Sequence, residues 1–86
     1  MLKALYHKNF KKDFRKIQRN VKERFAERFL MFLENPAEPI LRDHPLVGDL
    51  SGKLAFSIAG DVRVIYRFID KKLILLLRIG THNQVY

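Results

Sequence analysis

The stretch of sequence that decides the fold runs from residue 51 to residue 86 and reads SGKLAFSIAGDVRVIYRFIDKKLILLLRIGTHNQVY. In residues 53–59 and 62–69, apolar side chains alternate with polar or small ones, which predicts two strands that each bury one face. Gly60-Asp61 between them and Asp70-Lys71 after them are predicted turns. Residues 73–77 are continuously apolar, which predicts a central strand covered on both faces. Gly80 is predicted to end that strand and to leave Thr81-His82 on a loop.

Two amphipathic helices are predicted upstream of this sheet. The first begins after Asn9, a residue type that often caps helices, and a break is predicted at Arg19-Asn20. The second ends near Asn35, because Pro36 disfavours helical backbone in the residue before it. We interpret the apolar stripes of both helices as core. They consist of Phe10, Phe14, Ile17 and Val21 in the first helix and Phe25, Ala26, Phe29, Leu30, Phe32 and Leu33 in the second.

The remaining segments complete a single α+β domain over residues 1–86. Residues 2–6 are predicted to form a short first strand, and residues 35–52 an ordered connector that apolar side chains anchor to the core. The aromatic stripe of a helical hairpin must cover apolar surface, and the sheet offers the only such surface. We therefore predict an N-terminal strand and an antiparallel helical hairpin packed on a small, mainly antiparallel sheet.

Composition narrows the class of protein. An apolar content of 48% with 12% aromatic residues is typical of a packed globule. The chain has no cysteine, which excludes disulfides and thiolate metal sites, and its three histidines lack the spacing and the carboxylates of a metal cage. It has no apolar stretch of about 18 residues and no signal-like start. We expect a cytoplasmic protein without a cofactor and without membrane contact.

The charge indicates a polyanionic partner. The net charge is +8, and residues 1–28 hold ten Lys/Arg against three Asp/Glu, a charge of +7. Such a balance favours nucleic acid, an acidic protein, or both. The basic side of the first helix is a candidate RNA-binding surface, and a solvated helix face is the alternative. The residues concerned are Lys11, Lys12, Arg15, Lys16 and Arg19.

Two histidines are candidates for acid–base chemistry on RNA. Cutting RNA without a metal requires a base for the 2′-OH proton, an acid for the departing 5′ oxygen, and positive charge on the transition state. Histidine suits both proton transfers because its pKa lies near neutrality. His44 and His82, each in a turn-rich segment beside Asp43 or Thr81, form the credible pair, whereas His7 follows the first strand without an Asp or Thr beside it.

Four further residues are candidates for holding a phosphate or orienting the substrate. Arg63 and Arg78 offer bidentate, permanently charged contacts. The structural alternatives are a surface strand position for Arg63 and a partner of Asp61 or of the chain end for Arg78. Asp61 would orient a histidine or a sugar hydroxyl, or is an ordinary turn residue. Tyr86 would stack on a base or donate its hydroxyl, or fills a gap at the chain end.

Taken together, these residues resemble a pattern of the RelE/ParE superfamily of bacterial toxins, and most closely that of its YafQ branch. The resemblance covers nearly the whole chain. It is carried by Asp43-His44-Pro45-Leu46 with Gly48, by Asp61, by the strand Arg63-Val64-Ile65-Tyr66, and by Arg78-Ile79-Gly80-Thr81-His82 with Tyr86 at the end.

The resemblance implies a RelE-like fold with a twisted sheet, and a toxin that cuts mRNA on the ribosome and is neutralised by a small acidic antitoxin. It implies active-site positions at His44, Asp61, Arg78 and His82 and an aromatic position at Tyr86. Arg63 matches a catalytic arginine of the RelE branch, and Lys53 is a stand-in for a strand lysine of that branch. The chain departs from the YafQ pattern at Ser57, in place of a histidine, and at Val62, in place of a tryptophan.

The sequence thus predicts a ribosome-dependent, metal-independent mRNA endoribonuclease, the toxin of a type II toxin–antitoxin pair. Its partners would be the antitoxin, the ribosome and mRNA. Two alternatives stay open: a ParE-like toxin that inhibits DNA gyrase without cutting RNA, and a decayed toxin that only binds its antitoxin.

Overall fold

The computed structural model describes residues 1–86 and shows five strands and three α-helices. They are β1 Lys3–Tyr6, α1 Lys8–Lys16, α2 Arg19–Glu34, β2 His44–Pro45, β3 Leu54–Ala59, β4 Val62–Asp70, β5 Leu73–Thr81 and α3 His82–Val85, with 3₁₀ turns at Pro39–Leu41 and Gly48–Leu50. None of the helices combines the length and apolar character needed to cross a membrane. The predicted α+β class is confirmed.

The five strands form one sheet in the order β1-β5-β4-β3-β2. β1 runs parallel to β5 and the other three pairs are antiparallel, which confirms the predicted mainly antiparallel sheet. Strands β3 to β5 follow one another through two-residue turns, and such short connections require antiparallel neighbours. β2 has only two residues, which is too short for an alternating pattern to predict it.

Helices α1 and α2 cover one face of the sheet, which we call the inner face. Phe25, Phe29 and Phe32 of α2 are buried there, as the sequence predicts, and the Phe32 ring stacks on that of Phe56 with centroids 4.1 Å apart. Burying one such ring stabilises the fold by about 1.5–3 kcal/mol. Leu30 was predicted to share this stripe and is instead 55% exposed, because it lies on the side of α2 that faces away from the sheet.

A bulge in β5 removes a charge from this core. Ile65 of β4 pairs with Arg78, and the next residue of β4 pairs with Leu76, so Leu77 is an extra residue in β5. An extra residue reverses the alternation of side chains beyond it. Leu76 and Ile79 therefore both face the core, whereas Arg78, which strict alternation would bury, turns away from it.

The predicted N-cap of the first helix, Asn9, is wrong, because the observed N-cap lies two residues earlier. His7 is the N-cap, and its Nδ1 accepts a hydrogen bond of 3.0 Å from the backbone N–H of Asn9. Asn9 lies within the first turn. The predicted break is also displaced, since the extended residues are Ile17 and Gln18. Two consecutive extended residues end α1 and let α2 begin at Arg19.

Two predictions about the end of the sheet are wrong as well. Strand β5 continues through Gly80 to Thr81, and His82 begins α3 instead of lying on a loop. The expected burial of β5 on both faces holds for one face only. Ile74 and Leu76 are fully buried, whereas Leu73, Leu75 and Leu77 on the other side are partly exposed, because only the short α3 covers that side of the sheet.

Candidate functional site

The face of the sheet opposite α1 and α2, here called the outer face, carries most of the predicted site residues. Because side chains alternate along a strand, Ala55, Ser57, Arg63 and Ile65 point to the outer face while their neighbours point into the core. α3 lies on this face, and its Val85 packs against Ala55 and Ile65 in a small second core. The outer face is therefore only partly covered.

Gly80 and Thr81 fix α3 in this position. A Cβ at Gly80 would lie 2.7 Å from Oε1 of Gln84 and 3.1 Å from Val85, so an added methyl group would displace the Gln84 side chain and crowd Val85. Thr81 caps the helix: its side chain accepts from the backbone of Gln84, and Oε1 of Gln84 accepts from the N–H of Thr81 at 2.9 Å. His82 and Tyr86 follow, one helical turn apart.

Asp61, Arg63, His82 and Tyr86 meet beside α3, and we call them the α3 cluster. The rings of His82 and Tyr86 have centroids 4.2 Å apart, and the Arg63 guanidinium carbon lies 6.0 Å from the Tyr86 ring centroid. Asp61 joins both sides: Oδ1 is 3.9 Å from Nη2 of Arg63, and Oδ2 accepts from the His82 backbone N–H at 3.4 Å. An imidazole, a guanidinium, a carboxylate and an aromatic ring thus share one small area.

Arg63 keeps most of its hydrogen-bonding capacity unused. Its side chain is 27% exposed, its contact to Asp61 is longer than a hydrogen bond, and its Nε is buried without a partner. A guanidinium has five N–H donors arranged for bidentate contact with phosphate or carboxylate. Arg63 is therefore free to hold an anion.

Arg78 has a partner that the sequence did not suggest. Its Nε donates to Oδ2 of Asp13 at 2.6 Å and its Nη2 to Oδ1 at 3.1 Å, and Oδ2 also accepts from the N–H of Ile79 at 3.1 Å. β1 pairs with β5 only as far as Leu76, so the Ile79 N–H lies on an open edge that Asp13 covers. These hydrogen bonds raise the pKa of Arg78 above its ordinary value. The expected pairing with Asp61 or the chain end is wrong.

His44 lies on the outer face at a distance from the α3 cluster. One row of paired residues crosses the four strands from β2 to β5: His44, Ala55, Ile65 and Arg78. His44 and Arg78 are the two ends of this row. Three strand spacings separate them, about 14 Å between backbones. Nδ1 of His44 lies 2.8 Å from the carbonyl oxygen of Arg42. A carbonyl only accepts, so Nδ1 carries the proton, and Nε2 of the neutral, exposed ring is an available base.

The candidate RNA-binding side chains on the helices are exposed, as expected for either interpretation of them. Arg19 forms an exposed ion pair with Glu23 at 3.6 Å, and the other four have no carboxylate partner. Lys53 is partly buried immediately before β3, and on the outer face it lines a concavity together with Ile65 and Leu77. The four helical side chains without a carboxylate partner are Lys11, Lys12, Arg15 and Lys16. No group of three or more His, Cys, Asp or Glu side chains is placed to hold a metal.

Asp43 supports the site from beneath and was missed as a supporting residue. It accepts a hydrogen bond of 2.7 Å from the hydroxyl of the buried Tyr66. Burial raises the pKa of Asp43, whereas this hydrogen bond and the nearby His44 lower it. The effect of burial is the largest, so the pKa lies above its ordinary value. Burial, followed by the bond to Asp43, also raises the pKa of Tyr66. The pair fixes the segment that carries His44.

Asp13, the partner of Arg78, was also missed. One feature of the sequence could have indicated it, since it is the only acidic residue in α1.

Comparisons with known proteins identify the family. The model of the YafQ family, bacterial toxins of type II toxin–antitoxin systems, matches residues 2–86. No curated protein sequence matches the chain. Among solved structures, a copper-bound mutant toxin from Helicobacter pylori is 28% identical with a TM-score of 0.75, and the match covers 100% of both chains.

Three further solved structures show the same fold. YafQ from E. coli strain BL21(DE3) is 22% identical with a TM-score of 0.83, and the match covers 100% of this chain and 99% of that one. The match to the E. coli DinJ-YafQ toxin–antitoxin complex has 24% identity and a TM-score of 0.71, and it covers 99% of this chain and 97% of that one. The YoeB/ParE toxin from Agrobacterium tumefaciens is 16% identical with a TM-score of 0.76, covering 94% of this chain and 99% of that one. The chain therefore belongs to the YafQ family of bacterial toxins of type II toxin–antitoxin systems.

Proposed function

We propose that this toxin is a cytoplasmic, ribosome-dependent endoribonuclease that cuts mRNA without a metal. The observation that carries the proposal is the α3 cluster on the open outer face. There a guanidinium with unused donors lies beside an imidazole and an exposed aromatic ring. These are the groups that RNA cleavage by proton transfer requires: an acid or base, a phosphate ligand, and a surface on which a base can stack.

The two histidines divide the proton transfers. Nε2 of His44 is the available base, because Nδ1 is directed at the carbonyl of Arg42. It takes the 2′-OH proton while the 2′ oxygen attacks the phosphorus. His82 then gives a proton to the 5′ oxygen as its bond to phosphorus breaks, which leaves a 2′,3′-cyclic phosphate and a 5′-OH end.

The arginines stabilise the charge that develops on the phosphate. Arg63 holds it directly, with Asp61 limiting the movement of both Arg63 and His82 and Tyr86 stacking on a base. Arg78 contributes through the donors that Asp13 leaves free. A donor directed at developing negative charge typically accelerates such reactions by about 10²–10³-fold.

The basic side chains of α1 and the start of α2, together with Lys53, position the toxin on ribosomal RNA and mRNA. Contacts of exposed lysines and arginines with phosphates release bound cations, so affinity for the ribosome should fall steeply with salt. We further propose that an acidic antitoxin neutralises the toxin, since E. coli YafQ has been solved in complex with DinJ. The charge of +8 on this chain supports such a partner.

A translation extract tests this function. Added wild-type toxin is expected to cut mRNA and to leave 2′,3′-cyclic phosphate ends, and His82→Ala to cut at least 100-fold more slowly, as removal of a general acid does. Lys71→Gln, in the turn between β4 and β5, removes one exposed charge away from the site and should cut normally. Intact mRNA combined with inhibition of DNA gyrase supercoiling would refute the proposal and favour the ParE-like alternative.

A further inference from the structure

A second concavity lies on the outer face beside α3, and it has the composition of a nucleotide site. We call it the α1–α3 groove. Its volume is about 300 Å³, at the lower end of the range of about 300–1,000 Å³ for small-molecule sites. Its floor is apolar and consists of Leu50, Ile65, Leu77 and Val85. This is the surface on which a flat base packs.

The wall of the groove carries positive charge and N–H donors. Lys53 and Arg78 line it, together with His7 and Asn9, and no carboxylate is among the lining residues. Lys53 forms no ion pair, and Asp13 occupies only one edge of the Arg78 guanidinium. An apolar floor beneath a cationic wall complements a ligand with one planar apolar part and one anionic part.

His7, which has no Asp or Thr beside it in the sequence, gains a role here. Its backbone N–H donates to the carbonyl of Leu76 at 2.9 Å, and its Nδ1 accepts from the N–H of Asn9, so the residue is held at two points. Because Nδ1 accepts, the proton of the neutral ring is on Nε2. That N–H has no partner within the protein. A residue that caps α1 thus presents a fixed, unused donor at the groove.

We propose that the α1–α3 groove binds one nucleotide of the RNA strand, with the base on the apolar floor and its phosphate held by Lys53 while His7 donates from Nε2. The proposal rests on the proposed function in that its ligand is RNA. It adds a subsite next to the α3 cluster and a contact residue, His7. Because His82 of the α3 cluster and Val85 of the groove floor belong to the same short helix, an occupied groove would help to fix the position of the cut.

Binding of adenosine 5′-monophosphate tests the groove without any cleavage. In ¹H–¹³C spectra, the nucleotide is expected to shift the methyl signals of Leu77 and Val85, and inorganic phosphate at the same concentration to shift them much less. Lys53→Gln should weaken binding about tenfold, as for a hydrogen bond to a charged group, and His7→Asn about fivefold, as for a neutral one. Asparagine is a good N-cap, so His7→Asn keeps the start of α1 while it removes Nε2. Lys71→Gln is the charge-matched control and should bind like wild type.

The outcomes separate this inference from the proposed function. Cleavage in the extract without methyl shifts, or with binding that both variants leave unchanged, would overturn the groove and leave the nuclease intact. Methyl shifts that respond to both variants in a protein that cuts no mRNA would support the groove and refute the nuclease. Stronger shifts with tetraglutamate than with the nucleotide would make the groove a site for an acidic peptide, which also overturns the inference.

Discussion

The two faces of the sheet satisfy their polar groups very differently. On the inner face the buried side chains are apolar except for the Tyr66 hydroxyl, and that hydroxyl donates to Asp43 at 2.7 Å. On the outer face a guanidinium nitrogen of Arg63 is buried without a partner, and the groove beside α3 is lined by a further unused donor on His7. Buried polar groups are normally satisfied because leaving them unpaired is unfavourable. The difference indicates that the inner face stabilises the fold and the outer face is arranged for a ligand.

The largest effect on stability is expected from the inner face. Phe32→Ala removes a fully buried ring that stacks on Phe56, which should lower the free energy of unfolding by about 3–5 kcal/mol. Urea denaturation followed by circular dichroism measures it. Leu30→Ala, on the exposed side of the same helix, is the control and should change stability by less than about 0.5 kcal/mol. Similar losses for both variants would contradict the assignment of the inner face.

The contact between α1 and the edge of β5 comes next. Asp13→Ala leaves Arg78 and the Ile79 N–H without their acceptor and should lower the free energy of unfolding by about 1.5–3 kcal/mol. The same urea experiment applies. Asp13→Asn retains one acceptor oxygen and should lose less. If Asp13→Ala had the same free energy of unfolding as wild type, this edge would not need the carboxylate.

A smaller effect is expected where α3 meets the sheet. The Cβ of Gly80→Ala would displace Oε1 of Gln84 and break the capping box, at a loss of about 1 kcal/mol. Because α3 carries His82 and Tyr86, mRNA cleavage should fall even though the fold remains. Gln84→Ala removes the same cap without the steric clash and separates the two causes. Undiminished cleavage by both variants would show that the position of α3 is not critical.

The smallest effect is a dependence of stability on pH. Since the folded protein raises the pKa of Asp43, it holds that proton more tightly than the unfolded chain. The contribution of Asp43 is thus complete below the ordinary aspartate pKa of about 3.9 and declines as the pH rises through the higher folded value. Wild type should therefore lose stability relative to Asp43→Asn over that interval. Urea midpoints of both proteins between pH 3 and pH 7 measure the difference, and the opposite sign would contradict the burial of Asp43.

The same two faces explain what the sequence could and could not predict. The phenylalanine stripe of α2 and the alternation in β3 and β4 are local patterns that reflect burial directly, so the inner face and the sheet were predicted correctly. The pairing of Asp13 with Arg78 joins residues 65 positions apart, and the bulge at Leu77 depends on how β5 pairs with β4, so no local pattern encodes either feature. His7 has no Asp or Thr beside it in the sequence, and only the parallel pairing of β1 with β5 brings it to the outer face. Asp61, Arg63, His82 and Tyr86 were predicted as site residues, and their catalytic roles stay a prediction.

The most direct test of the division between the faces is Arg63→Met, assayed for both stability and mRNA cleavage. Methionine has a similar length and no donors, so it removes the unpaired buried Nε together with the phosphate ligand. We predict a free energy of unfolding equal to or higher than that of wild type, and cleavage in a translation extract at least about 100-fold slower. Full cleavage by this variant, or a loss of cleavage that merely follows a loss of stability, would contradict the account.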